Sequence, residues 1–244
     1  MTASEEELAR LSSEALEVAA HGDVPSACNT IESCSDQHTI AQIYAKASQT
    51  AYSERKSVQI MAALSNAGIR YCLDSAEAFA SEDQKSALKM KEVAKIIAYN
   101  MATNSWPGWG DEGIVIGQAD LAAGLEAAAV SLQLVEELEL GSSQIGNAFW
   151  IIGALHLAAG SNDKAIAAFE MSRAAFLDAG EDDSILLTDG FIALTRKARP
   201  ETCKAGAEET AQVLETLKSK GTKDAGFFAG QIETADLILV FGKS

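Results

Sequence analysis

The chain has 244 residues, 48% of them hydrophobic, and its 35 acidic side chains outnumber 19 basic ones for a formal net charge of −16. That balance argues against nucleic acid and anionic membranes as partners, because both need clustered Lys and Arg. No apolar run reaches the ~18 residues that a membrane span requires.

In chain order, the first segment is MTASEEELARLSSEALEVAAHGD. It is acidic and amphipathic and lacks the basic start and apolar stretch of a secretory signal, so a cytoplasmic location is expected. Reduced thiols are then expected at Cys28, Cys34, Cys72 and Cys203, none of which forms a C-x-x-C pair. Apolar residues recur with helical period, and no useful segment alternates with period two. Helices are predicted over 4–21, 25–34, 37–52, 54–80 and 83–103. Ser4 with Glu7, and Ser81 with Gln84, read as capping boxes.

The stretch NSWPGWGDEGIVIG (104–117) breaks the pattern. It holds two of the three tryptophans and one of the three prolines. Pro107 stops the preceding helix and the glycines supply unusual backbone angles, so 104–116 is predicted as a loop. A tryptophan buries on the order of 200 Å², which a floppy linker does not offer, so an ordered loop is expected. Two roles stand open. Trp106 and Trp109 plug the gap where the fifth helix turns into the sixth, or one ring rims a binding groove.

Six further helices are predicted over 117–139, 143–159, 162–179, 182–197, 200–219 and 224–241. In the first of these, Leu121, Leu125, Ala128, Leu132 and Val135 form one apolar stripe. Gly141, Gly160, Gly180 and Gly221 sit where helices should end, and Pro200 suits a first helical turn. The closing LILVF (237–241) reads as the buried end of the last helix rather than a strand without a partner.

Chemistry-bearing patterns are sparse. His21, His38 and His156 are the only histidines. They form neither H-E-x-x-H nor Glu-x-x-His, so no metal or cofactor is expected. Glu17 and His21 read as a solvated ion pair on one helix face, and His156 as a hydrogen-bonded core histidine. GWGDEG (108–113) lacks a preceding strand and places carboxylates where a phosphate would sit. The acidic runs at 5–7, 136–139 and 181–183 read as solvated surface.

The segment NAFWIIGALHLAAGSNDKAIAAFEMSRAAFLDAG (147–180) resembles the tetratricopeptide repeat, with Phe149, Ile152, Gly153, His156, Ala165, Phe169 and Ser172 at the family's spacings. His156 replaces the usual Tyr, and Leu177 stands where the family often has Pro. A second copy aligns 19–31 with 157–169, setting Gly22 on Gly160, Ala27 on Ala165 and Ile31 on Phe169. The resemblance implies an all-α chain, one domain over 1–244. It would be an irregular right-handed α-solenoid of about eleven antiparallel helices, with weaker repeats over 1–103. A generic helical bundle with an accidental match is the competing architecture.

Repeats of this family bind extended peptides on the concave surface made by the first helix of each pair. That analogy selects Asn147, Trp150, Ile151, Ala154 and Leu157, with Lys95, Ile96 and Tyr99 on the fifth helix, and Trp106 and Trp109 as the loop's contribution. The function expected is a non-catalytic scaffold for a protein or peptide, basic by complementarity to the acidic chain. The alternative is an enzyme or small-molecule binder with a pocket under the tryptophan loop. A homodimer through the terminal helix, 224–241, is a further expectation if that helix leaves an uncovered face.

Overall fold

A computed structural model describes residues 5–240. Among them are eleven α-helices: α1 (Glu5–Ala20), α2 (Val24–Glu32), α3 (Gln37–Ser53), α4 (Val58–Phe79), α5 (Gln84–Asn104), α6 (Gln118–Glu137), α7 (Ser142–Ala158), α8 (Asn162–Ala179), α9 (Asp182–Lys197), α10 (Cys203–Lys220) and α11 (Lys223–Ala235). No helix among the described residues is long and apolar enough to cross a membrane. Helices adjacent in sequence pack on one another: α1 on α2, α3 on α4, α4 on α5, and then α7 through α11 in succession. The chain divides into two compact units. The first comprises the described residues up to Ser105 together with Glu126–Leu138, and the second comprises Trp106–Leu125 and the described residues from Glu139 on.

In the first unit, short polar side chains start the helices. Asp23, Asp36, Ser57 and Asp83 each accept a hydrogen bond from a backbone N–H three residues on, satisfying one of the donors a helix start leaves unpaired. The start of α5 therefore lies with Asp83, whose carboxylate takes both the N–H and the hydroxyl of Ser86, and not with the expected box at Ser81 and Gln84. The Ser4 box lies outside the described residues. The core gathers Leu16, Ile31, Ile43, Tyr44, Met61, Leu64, Met90 and Ile97. Gly68 lets α4 lie against α3, since a Cβ there would stand 2.7 Å from Cβ of Tyr44. The expected Glu17–His21 ion pair does not form. The Glu17 carboxylate pairs with Arg55 instead, and His21 Nδ1 donates to the Glu17 carbonyl at 2.7 Å.

The second unit shows how small residues set helix approach. A Cβ on Gly153 would stand 2.6 Å from the Phe169 ring, and one on Gly146 would stand 2.6 Å from the Phe176 ring. Two α7 glycines thus receive two α8 phenyl rings, and the Ser172 hydroxyl donates to the Gly146 carbonyl at 2.8 Å to fix the register. Gly180 closes α8 in the left-handed conformation (φ 71°), which a side chain would strain. Gly141 instead begins α7, and the left-handed residue after α6 is Glu139. Pro200 lies three residues ahead of α10, in the turn and not in its first helical turn.

The chain closes differently from expectation. α11 passes at Asp236 into a π-helical turn (Asp236–Val240), with Leu239 buried but Leu237 66% exposed. The rest of the LILVF reading, Phe241, lies outside the described residues. Asp236 is held by Lys197, whose ammonium donates to both carboxylate oxygens at 2.9 and 2.7 Å. The run at 181–183 is likewise not simply solvated, because Asp183 pairs with Lys220 and ties α9 to the end of α10.

Candidate functional site

Within the expected loop at 104–116, Pro107–Trp109 form one turn of 3-10 helix. Gly110 ends it at φ 69°. Gly108 is imposed by the fold-back itself: the Trp106 indole lies over it, where any Cβ would fall. Trp106 is 0% exposed. Its ring centroid lies 4.9 Å from that of Trp109, 5.4 Å from Trp150 on α7 and 5.7 Å from Phe191 on α9. Phe191 continues the cluster to Trp150 at 5.1 Å and to Phe169 at 5.5 Å. The rings meet edge-to-face or tilted, which suits their quadrupoles. The indole N–H groups of Trp106 and Trp150 are buried with no hydrogen-bond partner among the described residues.

Trp109 stands at the edge of this cluster, half-buried. With Gly108 it faces Gly226, Phe227, Gly230, Gln231 and Thr234 of α11 across a slot of about 290 Å³. The slot closes at one end, where a Cβ on Gly110 would stand 2.9 Å from Ile238 and 3.1 Å from Thr234. Phe227 is 60% exposed, whereas Gln231 is only 7% exposed. No lining residue is charged.

Larger hollows lie elsewhere; one of about 410 Å³ between α4 and α5 is lined mainly by apolar residues, and three others are occupied by paired charges. The cavity of about 550 Å³ at the α7–α8 and α9–α10 turns holds the Arg199–Asp163 pair (2.6 Å), and that of about 570 Å³ at the start of α9 holds Lys220 with Asp183. A cleft of about 370 Å³ beside α9 is bridged by Arg173–Asp189 (2.7 Å) and Arg196–Glu209 (2.8 Å).

The residues selected from sequence separate into two groups. Trp106, Trp109 and Trp150 come together in the aromatic cluster. Of these, Trp106 and Trp150 are core, as are Ile151, Ala154 and Leu157, so none of the five presents a surface to a partner. Trp109 and Asn147 remain partly accessible. Lys95 and Tyr99 pair within the first unit, with the Lys95 ammonium 5.6 Å over the Tyr99 ring. Burial pushes the Lys95 ammonium below its ordinary value and the Tyr99 phenol above its own. Ile96, beside them, is exposed. His156 is half-buried, and its Nδ1 finds no partner among the described residues, contrary to the hydrogen-bonded histidine expected. Desolvation, and then the charge of Lys164, lower its pKa.

Phe191 and the α11 face were missed from sequence. The signal for the latter is the Gly226–Gly230 pair, four apart in a helix and therefore on one side of it. No protein-family model matches the chain, and no curated protein matches it.

Proposed function

We propose that the chain is a non-catalytic, tetratricopeptide-like solenoid that serves as a scaffold for a protein or peptide. The carrying observation is the equivalence of its two repeat-like segments. Gly22 and Gly160 both follow a helix at positive φ (88° and 75°), Ala27 and Ala165 are both fully buried, and so are Ile31 and Phe169. Sequential packing of neighbouring helices supports the same reading. The accessible members of the proposed binding surfaces are Lys95 and Tyr99 in the first unit, and Asn147 with Trp109 at the loop in the second. Net charge favours a basic partner. A small-molecule site is the second reading, favoured by the slot beside Trp109. Its 290 Å³ falls below the roughly 300–1,000 Å³ of drug-sized pockets.

Small-angle scattering tests the architecture: a compact globule of this length has a radius of gyration of about 18 Å, and an open array must exceed it clearly. Affinity capture from native lysate tests the function, with wild type beside a Lys95→Glu, Asn147→Ala variant. Prey lost by the variant supports the groove, and identical prey lists refute it.

A further inference from the structure

We infer that the slot between the tryptophan loop and α11 is a docking site for an extended peptide that carries one apolar side chain between basic neighbours. The class of occupant rests on the scaffold reading. The site itself rests on three independent observations.

The first is the glycine pair. Glycine inside a helix costs stability, so it needs a reason. Gly68, Gly146 and Gly153 have one, because an aromatic side chain fills the place of the missing Cβ. At Gly226 and Gly230 a Cβ would meet nothing within 4 Å. No neighbour among the described residues requires them, and their bare backbone gives an incoming chain close approach to α11.

The second is Gln231. Its side chain is more than nine-tenths buried, lines the slot, and makes no hydrogen bond among the described residues. Its carboxamide offers both an acceptor and donors to an occupant of the slot. The complementary group is another amide, and an extended backbone supplies one at every residue. Trp109 and Phe227 both line the slot, so an apolar side chain seated there meets an indole and a phenyl ring. The volume suits such a side chain with its flanking peptide groups and not a folded helix.

The third is charge. The lining is neutral; Asp111 and Glu112 follow it in the loop, Lys223 and Asp224 precede it on α11, and the chain carries a net charge of −16. The net negative charge of the chain favours Lys or Arg on either side of the anchor.

The test uses the full chain and synthetic acetylated peptides KKGLGKK, KKGDGKK and DDGLGDD, titrated by calorimetry and by tryptophan emission. KKGLGKK is expected to bind, and the other two at least about tenfold more weakly. Gly230→Leu should abolish binding by filling the slot, and Gln231→Leu should weaken it about tenfold. Circular dichroism confirms that each variant retains its helices. Failure of KKGLGKK to bind tighter than about 1 mM overturns the proposal, as does equal binding by wild type and a folded Gly230→Leu. A concentration-dependent dimer abolished by Gly230→Leu also overturns it, in favour of a second copy as occupant. Loss of the slot with prey still dependent on Lys95 and Asn147 sinks this inference alone. The converse sinks only the groove.

Discussion

Gly153→Ala and Gly230→Ala are the same chemical change in two helices of one unit, and they should shift stability in opposite directions. Replacing a helix-interior glycine by alanine gains about 1 kcal/mol from backbone entropy. At Gly230 nothing opposes that gain, because the new methyl enters open space. At Gly153 the methyl arrives 2.6 Å from Cδ1 and Cε1 of Phe169, about an ångström inside ordinary contact. The ring has nowhere to retreat. It is fully buried and lies 5.5 Å from Phe191, which is itself held against Trp106 and Trp150. Overpacking of this kind costs about 1–3 kcal/mol, so the loss equals or exceeds the gain and the net effect is destabilisation of up to about 2 kcal/mol. Gly146→Ala should behave like Gly153→Ala, because the Phe176 ring stands equally close. Urea unfolding followed by far-ultraviolet circular dichroism reads the midpoints. A higher midpoint for Gly153→Ala, or a lower one for Gly230→Ala, would refute the claim that glycine sets the α7–α8 approach and is spare on α11.

Other measurements probe the remaining contacts. In variants retaining one tryptophan each, Trp106 and Trp150 should emit blue-shifted and resist acrylamide, while Trp109 should quench readily, and uniform quenching would contradict the cluster. Asp36→Ala should cost about 1 kcal/mol near neutrality, since its carboxylate accepts from the Thr39 hydroxyl (2.6 Å) and N–H (2.9 Å). The hydroxyl bond first, then the backbone bond, hold its pKa below the ordinary carboxylate value. Its stabilisation is therefore full above about pH 4 and is lost as pH falls through the depressed folded value, so urea midpoints of wild type and variant should converge in acid. Cys72, buried with its thiol pushed up to about 12, should resist iodoacetamide in the native protein while exposed Cys203 is alkylated, as peptide mass mapping would show.

Helix positions were legible in the sequence wherever punctuation was strong. α8 and α9 begin and end within a residue or so of prediction, because Gly160 and Gly180 take left-handed conformations between runs of clear apolar period. The start of α4 was not legible: prediction had it at 54, but Ser57 caps it and the helix begins at Val58. The side chains facing a partner were hardest to read. α7 contains no Asp, Glu, Lys or Arg and one histidine, His156, in its last turn, and Gly146, Ala148, Trp150, Ile151, Gly153, Ala154, Leu155, Leu157 and Ala158 are all buried. Without a polar face, hydrophobic periodicity cannot orient a helix. The family analogy therefore assigned Trp150 and Ile151 to a surface that the structure gives to the core.

The loop's unusual composition has the same explanation. Its two tryptophans serve different environments three residues apart. Trp106 completes a buried cluster whose other members, Trp150, Phe169 and Phe191, come from three helices, and it can reach them only because Gly108 leaves room for its ring. Trp109 is held by that fold-back edge-to-face against Trp106 and lines the slot. A rigidly seated aromatic loses little entropy when it meets a ligand, which is the physical advantage of building a contact surface on an ordered core. Gly108→Ala separates the two roles. It should displace the Trp106 ring, destabilise the unit, and raise the acrylamide sensitivity of both loop tryptophans. A variant of unchanged stability with Trp106 still shielded would show that the ring does not need the glycine, and that Trp109 is positioned by other contacts.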